Sequence, residues 1–443
     1  MTLPRLGPRP LPLHMAMEGW IVQAAMAGLM PPSDAKSPPD SMPLSDGWAP
    51  SNPNSKTSPA NPLNPLLLNP ARLIAAAAAG KSPESITGPW SAYLDPAKFL
   101  DAVMGVGQQR LQDFVRGVRA YQSHPFQRAV TPPPPVWRQG AAMLHDYGGG
   151  DAQQPPALFV PSLINRAYIL DLATDRSLLR AAAQHVHAFL LDWGPPGPAE
   201  QAFSTTDYVN GVLIPALEEV KRRTGQSPRL VGYCMGGTLA VAPAVLRPDL
   251  VSALALLAAP WDFSAEAETS RMMLGFSRPM LEVMLQAEGM ASVDLLQAMF
   301  ASLDPTLVGR KFRRFAQLKP DSDEAQRFVA LEDWLNDGVP LAGPVARECL
   351  FDWYGDNTPA TTRWKIDGQV IDPRAITCPT LAFIPAQDRI VPPASAQALV
   401  AAIPGAAART VDLGHIGMVA AGGAAERVYQ PLAAWLKAPA NNA

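Results

Sequence analysis

The sequence predicts an α/β fold with a mostly parallel central sheet, crossover helices and a helical cap inserted before the last core strands. Three observations predict it. Beyond residues 132–135, a stiff run of four prolines, short apolar segments alternate with longer helical ones, as strands and crossover helices do in a parallel sheet. The segments 158–160, 188–191, 230–233, 253–258 and 380–384 read as buried strands. After Pro260 the alternation stops, and residues 264–350 are helix-like and Met-rich, without a convincing strand. A helical insertion between two core strands is expected to sit over the sheet as a cap.

Composition bounds what surrounds this core. The chain has 443 residues, 48% of them hydrophobic, and a net charge of −3. A packed soluble core is expected, with no general electrostatic attraction to nucleic acid or anionic lipid. Cys234, Cys349 and Cys378 are widely spaced and odd in number, which fits a reducing compartment without a disulfide framework. Eleven prolines fall between positions 31 and 70, among Ser, Asp, Asn and Lys. Residues 1–80 are therefore expected to be largely disordered. Within them, the weakly apolar run 15–30 reads as a short amphipathic helix contacting a surface or partner. Prolines ahead of it and Glu18 inside it argue against a signal peptide. No run is long enough to cross a membrane.

Residues 81–135 form a second region, where Leu100, Val103, Met104, Leu111, Phe114, Val115 and Val118 recur at helical spacing. The α/β region is then expected to run from 136 to 443. Residues 206–223 read as a helix, with Asp207 in the first turn and Lys221, Arg222 and Arg223 in the last, as the helix dipole prefers. In the cap, Met272, Met273, Met280, Met284, Met290 and Met299 are most simply core packing. The alternative is an adaptable apolar lining for a substrate channel.

Chemistry enters at Arg229-Leu-Val-Gly-Tyr-Cys-Met-Gly-Gly-Thr238, a strand running through a Gly-rich turn into a helix. It matches Gly-x-nucleophile-x-Gly with cysteine as nucleophile, the elbow of the α/β-hydrolase fold. The turn strains the nucleophile's backbone, so its neighbours at ±2 must be small, and it aims a helix N-terminus at the thiol, which favours the thiolate. The Met235 N–H then becomes one oxyanion donor. A second is expected from the loop after Val160, where Ser162, Leu163 and Asn165 lie. A structural cysteine on an ordinary strand–turn–helix is the alternative.

Chain order weighs against that alternative. The fold requires nucleophile, acid and histidine in that order. Of the six histidines only His415 follows Cys234, in the Gly-flanked loop Leu413-Gly-His-Ile-Gly417 ahead of a last helix at 426–437. Asp388 follows strand 380–384 in a turn from which a carboxylate can reach the imidazole. It is preferred over Asp412, which is expected to point away. His185 and His187 lack a third ligand, so no metal site is expected.

With these residues assembled, the chain resembles the poly(3-hydroxyalkanoate) synthase family from about Val136 to the C-terminus. The likeness rests on Asn165-Arg-Ala-Tyr-Ile-Leu-Asp-Leu172, Leu191-Asp-Trp-Gly194, Asp207-Tyr-Val209, the Gly232–Gly237 box, Asp352-Trp-Tyr354, Asp388 and Gly414-His-Ile-Gly417. Ala167 stands where the family has proline, and the cap matches least well. The core looks most like the short catalytic subunit of two-subunit synthases.

The resemblance implies an acyltransferase that polymerises 3-hydroxyacyl-CoA through a Cys234-bound thioester, with Asp388 orienting His415 or helping to activate the attacking hydroxyl. CoA thioester is then substrate, and no cofactor is expected. It also implies a homodimer or a second synthase subunit, and a cytoplasmic location at polyester granules. A thioesterase or depolymerase of the same fold, and a non-catalytic granule protein, are the competing expectations.

Overall fold

The computed structural model describes residues 5–26, 96–149, 154–265 and 268–438. The Pro-rich part of the segment read as disordered, from 31 to 70, lies outside the described residues. By internal contacts the chain divides into two compact units. One comprises Met1–Pro125 with Asp304–Val329, the other Phe126–Leu303 with Ala330–Ala443.

Helices Leu11–Met26, Pro96–Gln122 and Leu307–Phe315 belong to the first unit. The last two approach so closely that a Cβ on Gly117 would lie 2.0 Å from the Phe312 carbonyl oxygen. Around Phe312 the rings of Phe114, Tyr121 and Phe328 pack edge-on, with centroids 5.3–6.0 Å away, an arrangement that the ring quadrupoles favour. The amino-terminal helix starts earlier than expected and inverts the anticipated polarity. His14 and Glu18, one turn apart, are buried while Met15 is exposed. Glu18 can be buried because Arg313 lies 2.7 Å from it and because Gly309 leaves room for its carboxylate.

The second unit is built on one sheet. Its strands are β1 (Pro135–Gln139), β2 (Ala142–Gly148), β3 (Pro156–Val160), β4 (His187–Asp192), β5 (Arg229–Tyr233), β6 (Ala253–Leu257), β7 (Thr380–Pro385) and β8 (Ala407–Val411). Their spatial order is β1-β2-β4-β3-β5-β6-β7-β8, with β3 to β8 parallel and β1 and β2 antiparallel. Both faces of the central strands are covered. Leu158, Val160, Leu230, Leu254 and Leu256 join one core, while Ala157, Phe159, Val231, Ala255 and Leu257 join the other. Burial on both sides is why these strands read as unbroken apolar runs.

The predicted helix at 206–223 is a composite. Thr205–Tyr208 starts it under a Ser204–Asp207 capping box, Val209–Leu213 widens into a π-turn, and Ile214–Thr224 ends at Gly225 in the left-handed conformation. The insertion's helices are Glu268–Glu288 and Val293–Leu303 in this unit, Leu307–Phe315 in the first, and Asp323–Asn336, whose residues divide between the two. A short antiparallel pair, Met290–Ala291 with Leu341–Ala342, interrupts the expected all-helical insertion. Core packing fits Met299, at the edge of the main core, but not Met280, which is 61% exposed. The side chains of Met272 and Met273 lie outside the described residues.

Candidate active site

Every expected catalytic side chain follows the carboxyl end of a parallel strand, where ligands of open α/β sheets collect. Cys234 follows β5, Asp388 follows β7 and His415 follows β8. The turn after β5 is strained as the motif requires, with Cys234 at φ 55° and ψ −129°. Glycines at 232, 236 and 237 permit it. A Cβ on Gly232 would sit 2.4 Å from Gly237 Cα, and one on Gly236 would lie 2.3 and 2.4 Å from the carbonyl oxygens of Pro161 and Val160. The second contact matters chemically, because it presses the elbow against the loop that leaves β3. Gly236→Ala is therefore expected to displace that loop and to destabilise the protein by about 1–3 kcal/mol through overpacking. Gly211→Ala, where a Cβ meets no atom within 4 Å, is the control. Urea unfolding of both variants checks the difference.

His415 and Asp388 are both buried, with His415 Nδ1 2.7 Å from Asp388 Oδ2. The other carboxylate oxygen accepts the N–H groups of Ile390 and Val391 at 2.9 and 2.8 Å. That fixes the carboxylate and leaves one oxygen for the imidazole. Cys234 lies close enough to His415 for its charge to act on the imidazole. Burial alone would lower the His415 pKa, but the charges of Asp388 and Cys234 more than offset it, so the imidazole is held well above 6.5. Asp412 is engaged elsewhere, accepting from the Gln387 side chain at 2.6 Å.

Tyr233 is a further buried member of this site. Its hydroxyl donates to the His415 carbonyl at 3.3 Å, and its ring centroid is 5.4 Å from the imidazole. Burial first, and then the charges of Cys234 and Asp388, push its pKa well up, so it stays a neutral donor that steadies the histidine loop. Only its place beside Cys234 could have signalled this in the sequence.

The loop candidates divide by what their groups can still do. Met235 opens the helix Met235–Leu246, where a first-turn N–H has no intrahelical acceptor. The Ser162 hydroxyl oxygen accepts from Ile164 N at 3.2 Å, which turns it back into its own loop. Leu163 is buried in the core. Asn165 pairs in a bridge with Gly338, and its buried Oδ1 has no hydrogen-bond partner. Pro161 is anchored by Trp193, whose Nε1 donates to its carbonyl at 3.0 Å. Of the two histidines considered for a metal, His187 instead pairs with Asp146 at 2.8 Å and stacks on Phe189.

Within the resembling segment, Asp171 is a structural hub. It is fully buried, bonded to Arg180 at 2.8 Å and to the Tyr147 hydroxyl at 2.9 Å, and Arg128 donates to its carbonyl.

Comparison with known proteins agrees with this architecture. A family model described as alpha/beta hydrolase fold matches residues 158–419. The poly(3-hydroxyalkanoate) polymerase subunit PhaC of Allochromatium vinosum is 31% identical over 320 residues, covering 69% of this chain and 88% of the relative. The chain belongs to the poly(3-hydroxyalkanoate) polymerase family. The subunit of the same name from Thiocystis violacea is also 31% identical, over 322 residues, and that of Synechocystis is 29% identical over 324. Both cover 85% or more of the relative. The 8-stranded, mostly parallel sheet of this chain, with its strained cysteine elbow, agrees with the alpha/beta hydrolase fold of the matching family model. No helix among the described residues is long and apolar enough to cross a membrane.

Proposed function

We propose that this polymerase-family chain joins 3-hydroxyacyl units from CoA thioesters into a polyester, with Cys234 carrying the acyl group. The observation that carries the proposal is the convergence of Cys234, His415 and Asp388 at the carboxyl edge of the sheet, with His415 hydrogen-bonded to Asp388. In the first half-reaction His415 holds the thiol proton while Cys234 Sγ attacks the acyl carbon. A C–S bond forms to the protein, the C–S bond to CoA breaks, and the proton leaves with the CoA thiol. In the second, a 3-hydroxyl oxygen attacks that thioester. A C–O bond forms, the C–S bond to Cys234 breaks, and the hydroxyl proton passes to His415, with Asp388 orienting the ring or helping to activate the hydroxyl.

Sulfur suits this cycle. Exchange of one thioester for another is nearly balanced, whereas transfer to an alcohol gives an oxoester and runs downhill. The Met235 N–H and an N–H of the 162–165 loop would stabilise the tetrahedral oxyanion, at roughly 3–4 kcal/mol per good donor. Because water competes at every cycle, the cap's task is to exclude it. The relatives are named as polymerase subunits, which supports a partner subunit; a homodimer is the alternative, and work at the surface of a polyester granule follows from the insolubility of the product.

Purified protein given 3-hydroxybutyryl-CoA, with and without a candidate partner subunit, is expected to release CoA in step with growing polymer mass. Release of CoA matched by free hydroxyacid, with no polymer, would overturn the proposal and make the protein a thioesterase.

A further inference from the structure

The loop that brings the oxyanion donor to Cys234 is gripped on its far side by the cap. Successive backbone groups from Ile164 to Arg166 are bonded to one cap segment. Val339 N donates to Ile164 O at 3.3 Å, Asn165 forms a bridge with Gly338, and Trp334 Nε1 donates to Arg166 O at 2.8 Å. Asp337 then bears on two side chains of the same loop. Its Oδ1 lies 3.4 Å from Arg166 Nε, and its charge, close to the Tyr168 hydroxyl, adds to burial in pushing that hydroxyl's pKa up. Gly338 allows the close approach, since a Cβ there would lie 2.6 Å from Val293 Cγ1. On the near side the same loop is held by Trp193 and pressed by Gly236. The loop thus lies between the nucleophile's turn and the cap, with few bonds of its own.

The geometry points to Asp337 as a positioning residue that couples the seating of cap segment 334–339 to assembly of the oxyanion site. The inference rests on the proposed acyl transfer at Cys234 and adds its control. When the segment is seated, Arg166 and Tyr168 are fixed and the loop's oxyanion donor is held against the elbow. When it lifts to admit an acyl-CoA, that donor loses its alignment. Acyl loading would then proceed only under a closed cap, where water is excluded.

The ion pair is suited to a latch that opens. Arg166 is 31% exposed and Asp337 49%, so the pair adds little to global stability. Asp337→Ala is therefore expected to keep the wild-type Tm and the wild-type rate of Cys234 alkylation by iodoacetamide, which depends on the thiol and His415. CoA release from 3-hydroxybutyryl-CoA should fall about 10- to 100-fold in kcat, the scale of a misplaced oxyanion donor, with KM nearly unchanged. Asp337→Glu should recover part of the loss. A kcat within twofold of wild type would overturn the inference. So would alkylation or Tm falling together with kcat, which would make Asp337 merely structural. If the wild-type protein releases no CoA, the synthase proposal fails, and the latch is read instead from acylation of Cys234 by p-nitrophenyl acetate under the same criteria.

Discussion

Cys234→Ala is expected to abolish CoA release from 3-hydroxyacyl-CoA, by at least about 10⁴-fold, the scale of removing a nucleophile that works with its base as a unit. The loss should be chemical. Alanine fills less space than cysteine, its backbone faces the same positive φ, and the Gly232–Gly237 contacts that shape the turn do not involve the thiol. Far-ultraviolet circular dichroism and Tm should therefore match the wild type while CoA release disappears. Cys234→Ser is the more informative partner. Its hydroxyl is a weaker nucleophile, and its acyl-enzyme would be an oxoester, so transfer to a 3-hydroxyl would no longer run downhill. Residual turnover should then shift towards free hydroxyacid. CoA release at the wild-type rate in Cys234→Ala would remove Cys234 from the mechanism and leave the fold without its assigned nucleophile.

The proposed nucleophile, base and acid could be picked out because each answers to a constraint that acts along the chain. The elbow needs glycines at fixed spacing, and His415 is the only histidine after Cys234. The core strands were legible for a related reason, since burial on both faces leaves an unbroken apolar run. Strands at the edge escaped notice. β8 exposes four of its five residues, so Ala407-Ala-Arg-Thr-Val411 carries no apolar signature. In β1 Arg138 and Gln139 end the run, and in β2 His145 and Asp146 break it.

Long-range relations were illegible for a different reason. Asp337 reaches Arg166 and Tyr168 across about 170 residues, and no local period encodes such a pairing. The inward turn of His14 and Glu18 depends on Arg313 and Gly309, which lie in the cap insertion. An amphipathic pattern could not anticipate that, because the partner that makes a buried carboxylate tolerable is remote in sequence. Ser162 shows a limit of another kind. A hydroxyl near an oxyanion site looks available in the sequence, yet its bond to Ile164 N commits it to the loop. Under the proposed mechanism, what the loop offers an oxyanion is backbone.

Asp388→Asn carries the second largest expected effect, and it separates orientation from mere presence of a polar group. The carboxylate accepts three N–H bonds, from His415, Ile390 and Val391. An amide keeps one oxygen, which the two backbone donors would claim, and turns its NH₂ towards His415 Nδ1. The imidazole must then accept at Nδ1 and carry its proton on the nitrogen facing Cys234, the tautomer that cannot receive the thiol proton. A fall in kcat of about 10⁴-fold is expected, with Cys234 still in place. The protonation of His415 should move in a defined direction. In the wild type burial lowers its pKa, and the charges of Asp388 and Cys234 raise it further than burial lowers it, so the imidazolium persists above pH 6.5. Without the carboxylate, burial meets less opposition and the pKa falls. Titration of His415 by nuclear magnetic resonance should show the proton lost at lower pH in Asp388→Asn than in the wild type. An unchanged titration together with unchanged kcat would place the acid elsewhere. A shifted titration with full activity would show that the Asp388 charge sets the protonation of His415 without serving the chemistry, and would overturn its assigned role in orienting the ring.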